Sequence, residues 1–384
     1  MYVAVKGGKK AIEAAHKLLD ETRRGDPGVP ELTIGQLGNQ LGRAVDRVQA
    51  EGSLYAPMMA ALAVKQAQGD LVEAIFLIRA ARASLRRFGY SEPVETKSMR
   101  PRRRISGTFK DIPGGQILGA TFDYTHRLLK SALANCQAPS QASPRLATPV
   151  SPVSQAPAQD GGRLTGVATI LEREGILETV DDSQPQEEPF DLTREPLRFP
   201  MGRPGRLQSL SRADEGFLLS LAYSSQRGFG SVHPFVAELR LGPVEVEINP
   251  PEVGMAITIG QIELTECQTA NQFKGGGGKP PMFTRGYGLC FGHNERKALS
   301  MAIVDRALRS VELGEPLKGP AQNEEFVLYH GDNVEASGFV SHIKLPHYVD
   351  FQAELFMLRE ARKKLASAGG FHKGEPVPGE NEKR

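Results

Sequence analysis

VEVEINP (Val244–Pro250) and GMAITIGQIEL (Gly254–Leu264) set β-branched residues at every second position, the pattern of strands with one face turned to a core. Around them the period changes. EGFLLSLAY, from Glu215 to Tyr223, and ERKALSMAIVDRALRS, from Glu295, carry apolar residues at helical spacing. EEFVLYH, from Glu324, reads as another strand, and a last helix is predicted from Val349 to Ala366. Strands and helices that mix without regular βαβ spacing predict an α+β fold rather than a doubly wound sheet.

Upstream, from Lys9 to Arg87, the chain reads as helical throughout, in AIEAAHKLL, LGRAVDRVQAEG and MMAALAVKQAQGDLVEAIFLIRAARASLRRFG. Asp70 looks like a helix start and Gly89 its stop. The stretch from Ala138 to Gly162 is rich in Pro, Ser, Ala and Gln and has no apolar face to bury, so it reads as a linker or insertion. A second proline-rich, acidic stretch from Asp181 to Pro204 is expected to cross a surface without regular structure. The expected organisation is a mainly helical N-terminal region (1–135), a flexible linker (136–163), an α+β C-terminal domain (164–368) and a frayed tail (369–384).

Composition narrows the function classes. In 384 residues, 47 Lys and Arg face 45 Asp and Glu, so a net charge of +2 gives no reason to expect nucleic acid or an anionic membrane as partner. Any anion site must be local. Three cysteines, Cys136, Cys267 and Cys290, are too few and too far apart for a disulfide framework or a CxxC metal knot, which fits a reducing compartment. The first residues, MYVAVKGGKKAIEAAHKLLDE, lack the apolar core of a signal peptide, and no apolar run approaches the roughly 20 residues of a membrane-spanning helix. The cytoplasm is the expected location.

Three stretches carry chemistry. In SHIKLPHYVDF, His342 and His347 lie five residues apart around Pro346, which forbids an uninterrupted helix, so only a turn brings the two rings together. Two converging imidazoles can hold a divalent transition metal such as zinc; the alternative is a histidine pair on an ordinary loop. In FTRGYGLCFG, Arg285 stands beside Gly286 and Gly288, which fits either a phosphate site or a strand turn with Arg285 in a salt bridge. In RPRRRISGTFKDIPGGQILGATFDYTHRLL, Arg100, Arg102, Arg103, Arg104 and Lys110 form a basic run that can meet a triphosphate, an acidic partner or only solvent. Asp111, Asp123, Tyr124, His126 and Arg127 follow among glycines, the mixture typical of a site or an interface. GGGGK (Gly275–Lys279) is no P-loop, because it lacks the GK[ST] ending and runs into two prolines. Ser106, Ser224 and Ser341 have no nucleophile-elbow context.

Together with MYVAVKGG, KQAQGDLVEAIFLIRAAR, RADEGFLLSLAYSSQRGFG and EEFVLYHGDNVEASGFVSHIKLPHYVDFQAEL, these strings closely resemble subunit I of the bacterial carbon-phosphorus lyase core complex. The departures are the insertion after Cys136, the GGGGK turn and the long tail. The resemblance implies an enzyme of phosphonate catabolism that transfers methylphosphonate to the anomeric carbon of ATP or GTP, displacing the base. Acting alone, such a subunit is a nucleosidase. It also implies core partners G, H and J and ATP-binding accessory subunits, with two copies of this subunit in the assembly. His342 and His347 are the implied zinc ligands, near the contact with the iron-sulfur subunit J. Such chemistry needs a carboxylate beside the cationic sugar and an acid for the base, for which Asp111, Asp123, Asp214 and Glu215 are candidates. It also needs cations or glycine-rich backbone for the triphosphate, with Arg102, Arg103, Lys110, Arg285, Gly286 and Gly288 as candidates. The competing readings are a non-catalytic structural subunit of the same complex and an independent zinc hydrolase.

Overall fold

The computed structural model describes residues 8–135, 165–179, 190–229, 233–276, 279–345 and 347–367. The chain divides into two units, Met1–Val29 with Glu335–Arg384 and Pro30–Val334. That division differs from the expected boundaries, since the helices after residue 30 and the sheet share one unit. The linker at 136–163 and the tail from 369 lie outside the described residues.

The elements in chain order are α1 (Lys9–Arg24), α2 (Ile34–Gln40), α3 (Gly42–Gly52), α4 (Pro57–Gln66), α5 (Leu71–Ser84), β1 (Arg103–Ile105), α6 (Val167–Arg173), α7 (Arg203–Arg212), α8 (Glu215–Gln226) and β2 (Phe235–Ile248). They continue with β3 (Ile257–Gly276), β4 (Lys279–Phe291), α9 (Glu295–Leu308), α10 (Glu324–His330), α11 (Asn333–Ser341) and α12 (Tyr348–Ser367). The fold is α+β. Asp70 caps α5 by accepting from Val72 N (2.9 Å) and Glu73 N (3.2 Å), as expected, but the helix ends at Ser84, before Gly89. Leu85 is already extended and Phe88 is fully exposed, so no burial holds a further turn.

EEFVLYH is a helix, α10, not the strand expected from its apolar content. Asn323 accepts from Phe326 N at 2.9 Å and two glutamates occupy the first turn, a start signal that outweighs strand propensity. The stretch from Asp181 to Pro204 meets expectation only in part. Its described part has no helix or strand before α7, yet Phe190, Leu197 and Phe199 pack against the core formed by α7, α8, α9 and α10.

The sheet is antiparallel in the order β1-β2-β3-β4, and GGGGK joins β3 to β4 with Gly276 opposite Lys279. On it lies α9, whose Ala298, Met301, Ala302 and Val304 are at most 1% exposed, with α8 beyond α9. Gly286 and Gly288 permit this approach. A Cβ on either would stand 2.0 Å from a carbonyl oxygen of α9, that of Ala302 or of Ala298. Helices α2 to α5 form a second core around Val48, Ala60, Ile75 and Ile78.

Irregular segments line both sheet edges. Glu92, Arg100, Arg102 and Gly107 donate backbone hydrogen bonds along β2, while Ile176 and Glu178 bond to Phe283 of β4. Among the described residues, no helix is long and apolar enough to cross a membrane.

Candidate functional site

A closed ring of contacts gathers where α3, β1 and the turn between β4 and α9 meet. The turn is made by Gly292, whose φ of +68° suits glycine and whose absent side chain leaves room for Asp46; a Cβ would lie 2.3 Å from the Asp46 Cγ. The next amide, His293 N, donates to Asp46 Oδ2 at 2.9 Å. Thr265 holds the turn from below, donating to Gly292 O at 2.5 Å and accepting from Asn294 N at 3.0 Å.

Glu295, in the first turn of α9, receives the imidazole of His293, with Nε2 2.6 Å from Oε1. Behind it lies Arg103, 1% exposed, whose Nε stands 2.9 Å from the same carboxylate oxygen as an ion pair rather than an aligned hydrogen bond. Its Nη2 donates to Asp123 Oδ2 at 2.5 Å and its Nη1 to Leu118 O. Next to Asp123, the exposed ring of Phe122 has the guanidinium of Arg43 at 5.9 Å and that of Arg127 at 5.7 Å. Arg43 closes the ring by donating to His293 O at 3.1 Å.

Two carboxyl groups of this ring are pushed in opposite directions. Burial raises the Asp46 pKa, outweighing the His293 amide and ring and the Arg43 charge that pull it down. Burial acts the same way on Glu295, but the His293 hydrogen bond and Arg103 prevail and hold its carboxyl below the ordinary range. One group is therefore biased to keep its proton and the other to lose it.

The other residues singled out in the sequence have definite places. Asp214 caps α8 by accepting from Phe217 N (2.7 Å) and pairs with Arg47 (2.5 Å). Glu215 is bound by Arg296. Both lie beside a buried junction in which Glu51 accepts from Arg47 and from Glu215 N, each at 3.1 Å, with the fully buried Lys297 ammonium 3.6 Å away. Of the basic run, Arg100 and Arg102 are exposed and paired with Glu245 and Glu263. Arg104 is buried against Glu238 at 2.5 Å, and Lys110 and Asp111 are exposed in the loop. Arg285 pairs with Glu172, and its two glycine neighbours serve the packing of α9. Of the carboxylate and phosphate candidates, the structure thus joins Arg103 to Asp123 and gathers Asp214 and Glu215 at a separate junction.

In the smaller unit the histidine pair converges. The ring centroids of His342 and His347 are 5.2 Å apart. Each Nδ1 faces a backbone carbonyl, that of Phe339 for His342 and that of Leu345, at 2.6 Å, for His347. A carbonyl can only accept, so Nδ1 carries the hydrogen in both rings, the arrangement in which a neutral ring presents its lone pair at Nε2.

A separate cavity of about 270 Å³ opens between the end of α8, β3, α9 and the 315–322 loop. Its floor holds Glu315, which accepts from both terminal nitrogens of Arg306 and pairs with Lys274.

The pattern of the family described as bacterial phosphonate metabolism protein (PhnI) matches residues 1–365. The chain belongs to the PhnI family. A Rhizobium meliloti (strain 1021) relative named "Alpha-D-ribose 1-methylphosphonate 5-triphosphate synthase subunit PhnI" is 56% identical over 373 residues, 96% of this chain and 98% of the relative. An Escherichia coli (strain K12) relative of the same name is 54% identical over 364 residues, 94% of this chain and 99% of the relative. The HtxH protein of Stutzerimonas stutzeri, named as a candidate C-P lyase subunit, is 43% identical over 378 residues, 98% of this chain and 99% of its own. The PhnI match includes both the ring around Arg103 and the histidine pair.

Asp46, Glu51, His293, Glu295 and Lys297 were not singled out by sequence reasoning. The available signal was FGHNERK, where a glycine, a histidine and four polar residues interrupt apolar runs at a strand-to-helix junction.

Proposed function

We propose that this chain is the phosphonate-catabolism subunit that joins methylphosphonate to the anomeric carbon of ATP or GTP and displaces the base. The observation that carries the reading is the match, at 54–56% identity over 94–96% of the chain, to two relatives whose names state that synthase activity. The chain works in a carbon-phosphorus lyase core complex in the cytoplasm, two copies per assembly, beside subunits G, H and J and the ATP-binding accessory subunits.

His342 and His347 fit zinc. Two imidazoles on a tetrahedral zinc with Zn–N bonds of about 2.1 Å place their ring centres roughly 5 Å apart, and these rings are 5.2 Å apart. Carbonyl-bound Nδ1 atoms fix the tautomer that leaves Nε2 free to ligate. The pair leaves coordination positions that water, substrate or subunit J would fill. A zinc ion there supplies a Lewis acid that orients a phosphonate oxygen.

Incubating the purified complex with ATP and methylphosphonate tests the activity. Free adenine by chromatography and a ribose 1-phosphonate by phosphorus NMR are expected; neither product appearing would leave the scaffold reading in its place. Metal analysis tests the second element. His342→Ala and His347→Ala complexes should each lose most of their zinc, and full zinc in both would refute the assignment.

A further inference from the structure

The ring around Arg103 contains what glycosidic cleavage asks of a protein. It has an exposed aromatic face, a partly exposed carboxylate, and a half-buried carboxyl group within the same chain of contacts. Phe122 is 61% exposed, and a flat aromatic surface of this kind is a stacking platform for a purine. Asp123 is half exposed and is aimed by the buried Arg103, so its carboxylate stands next to that platform. Asp46 is reached through His293, whose amide it accepts and whose ring binds Glu295.

We propose that this ring is the nucleoside-cleaving centre of the protein, with the Asp46 carboxyl as the acid that protonates the departing purine and Asp123 as the carboxylate facing the sugar. The assignment rests on the activity proposed above and places its bond-breaking step. The C1′–N9 bond breaks with its electron pair passing into the purine, which takes the proton of Asp46 at N7. A phosphonate oxygen donates a lone pair to C1′ and forms the new C–O bond. The phosphonate gives up its P–OH proton to water as its oxygen bonds C1′, and water returns one proton to the Asp46 carboxylate, so charge and atoms balance.

The environment favours this division of roles. The charged and titratable groups near Asp46 are Arg43 from its own helix, His293 from the β4–α9 turn, Tyr55 and the buried Cys290, and Gln49 Nε2 donates to its Oδ1 at 3.3 Å; Glu295 and Arg103 stand one contact further away. The net result is a carboxyl that holds its proton above the ordinary aspartate range, while Glu295 is held ionised. Gly292 is needed at the turn because any side chain would strike Asp46.

The test uses the assembled complex with two nucleotides. ATP needs a proton to release adenine, whereas 7-methyl-GTP carries an already cationic base that leaves without one. Asp46→Asn should lose at least about 100-fold in base release from ATP and less than about 10-fold from 7-methyl-GTP. Asp46→Glu should recover part of the ATP activity. The wild-type rate on ATP should fall as pH rises through the Asp46 titration, and that fall should be missing with 7-methyl-GTP. Equal losses on both nucleotides, or unchanged ATP cleavage, would overturn the assignment. Should Asp46→Asn not fold, the wild-type pH comparison decides alone, and identical limbs for both nucleotides refute it. A wild-type complex that cleaves neither nucleotide would overturn the activity itself and this centre with it.

Discussion

Glu315→Gln should destabilise the protein by an amount that depends on pH. The carboxylate accepts from Arg306 Nη1 at 2.5 Å and Nη2 at 2.7 Å, and Lys274 Nζ lies 2.6 Å away. The side chain is 12% exposed and that of Arg306 4%, so solvent screens the pair little. Burial alone would raise the Glu315 pKa, but the hydrogen bonds and charges of Arg306 and Lys274 prevail and hold it at about 2. An unfolded glutamate titrates near 4.3, and each unit of difference is worth about 1.4 kcal/mol, so ionisation contributes about 3 kcal/mol at neutral pH. Because the folded value is the depressed one, this contribution is complete above about pH 4.3 and disappears as pH falls toward 2. The neutral amide removes it and leaves the buried Arg306 without its counter-charge, a loss of about 3 kcal/mol or somewhat more. Urea unfolding of wild type and Glu315→Gln from pH 7 to 3 reads the difference. The two stabilities should differ fully at pH 6 and converge below pH 4.3. A gap that does not change with pH would refute the reasoning.

Gly288→Ala should lower the thermal midpoint by several degrees, since a Cβ 2.0 Å from the Ala298 carbonyl oxygen must lift α9 from β4 at a cost of about 2 kcal/mol or more; an unchanged midpoint would show that helix and strand are not in contact there. Arg104→Met should cost about 3–5 kcal/mol in chemical denaturation by leaving the 3% exposed Glu238 unpaired, and adding Glu238→Leu should recover much of it. Additive losses in the double variant would argue against the pair.

The fold was legible where residues act locally. Asp70 announces α5, and the outer part of β2 alternates as written, with Val244 buried and Glu245 and Glu247 exposed. The inner sheet was not legible. Glu238, Arg240, Glu266 and Thr269 are all buried, because both sheet faces are covered there and the charges find partners on neighbouring strands or on Arg104. Hydropathy reads such residues as solvent-facing; Arg240 opposite Glu266 and Arg104 beside Glu238 neutralise the charges. The candidate site divides the same way. The nearness of the His342 and His347 rings is expected from the sequence, whereas Asp46 and Glu295 lie 249 positions apart in the sequence and are joined through the Gly292 turn.

The segments that line the sheet edges have an order in time. Both 92–107 and 176–178 precede β2, β3 and β4 in the chain, so a ribosome releases each cover before the strand it will meet. When β4 emerges and completes the hairpin with β3, backbone donors and acceptors for the outer edges are already waiting on the same nascent chain. An edge that finds its own cover first has little opportunity to pair with another molecule, which is how a sheet with an antiparallel ribbon as long as β3 avoids templating aggregation during synthesis.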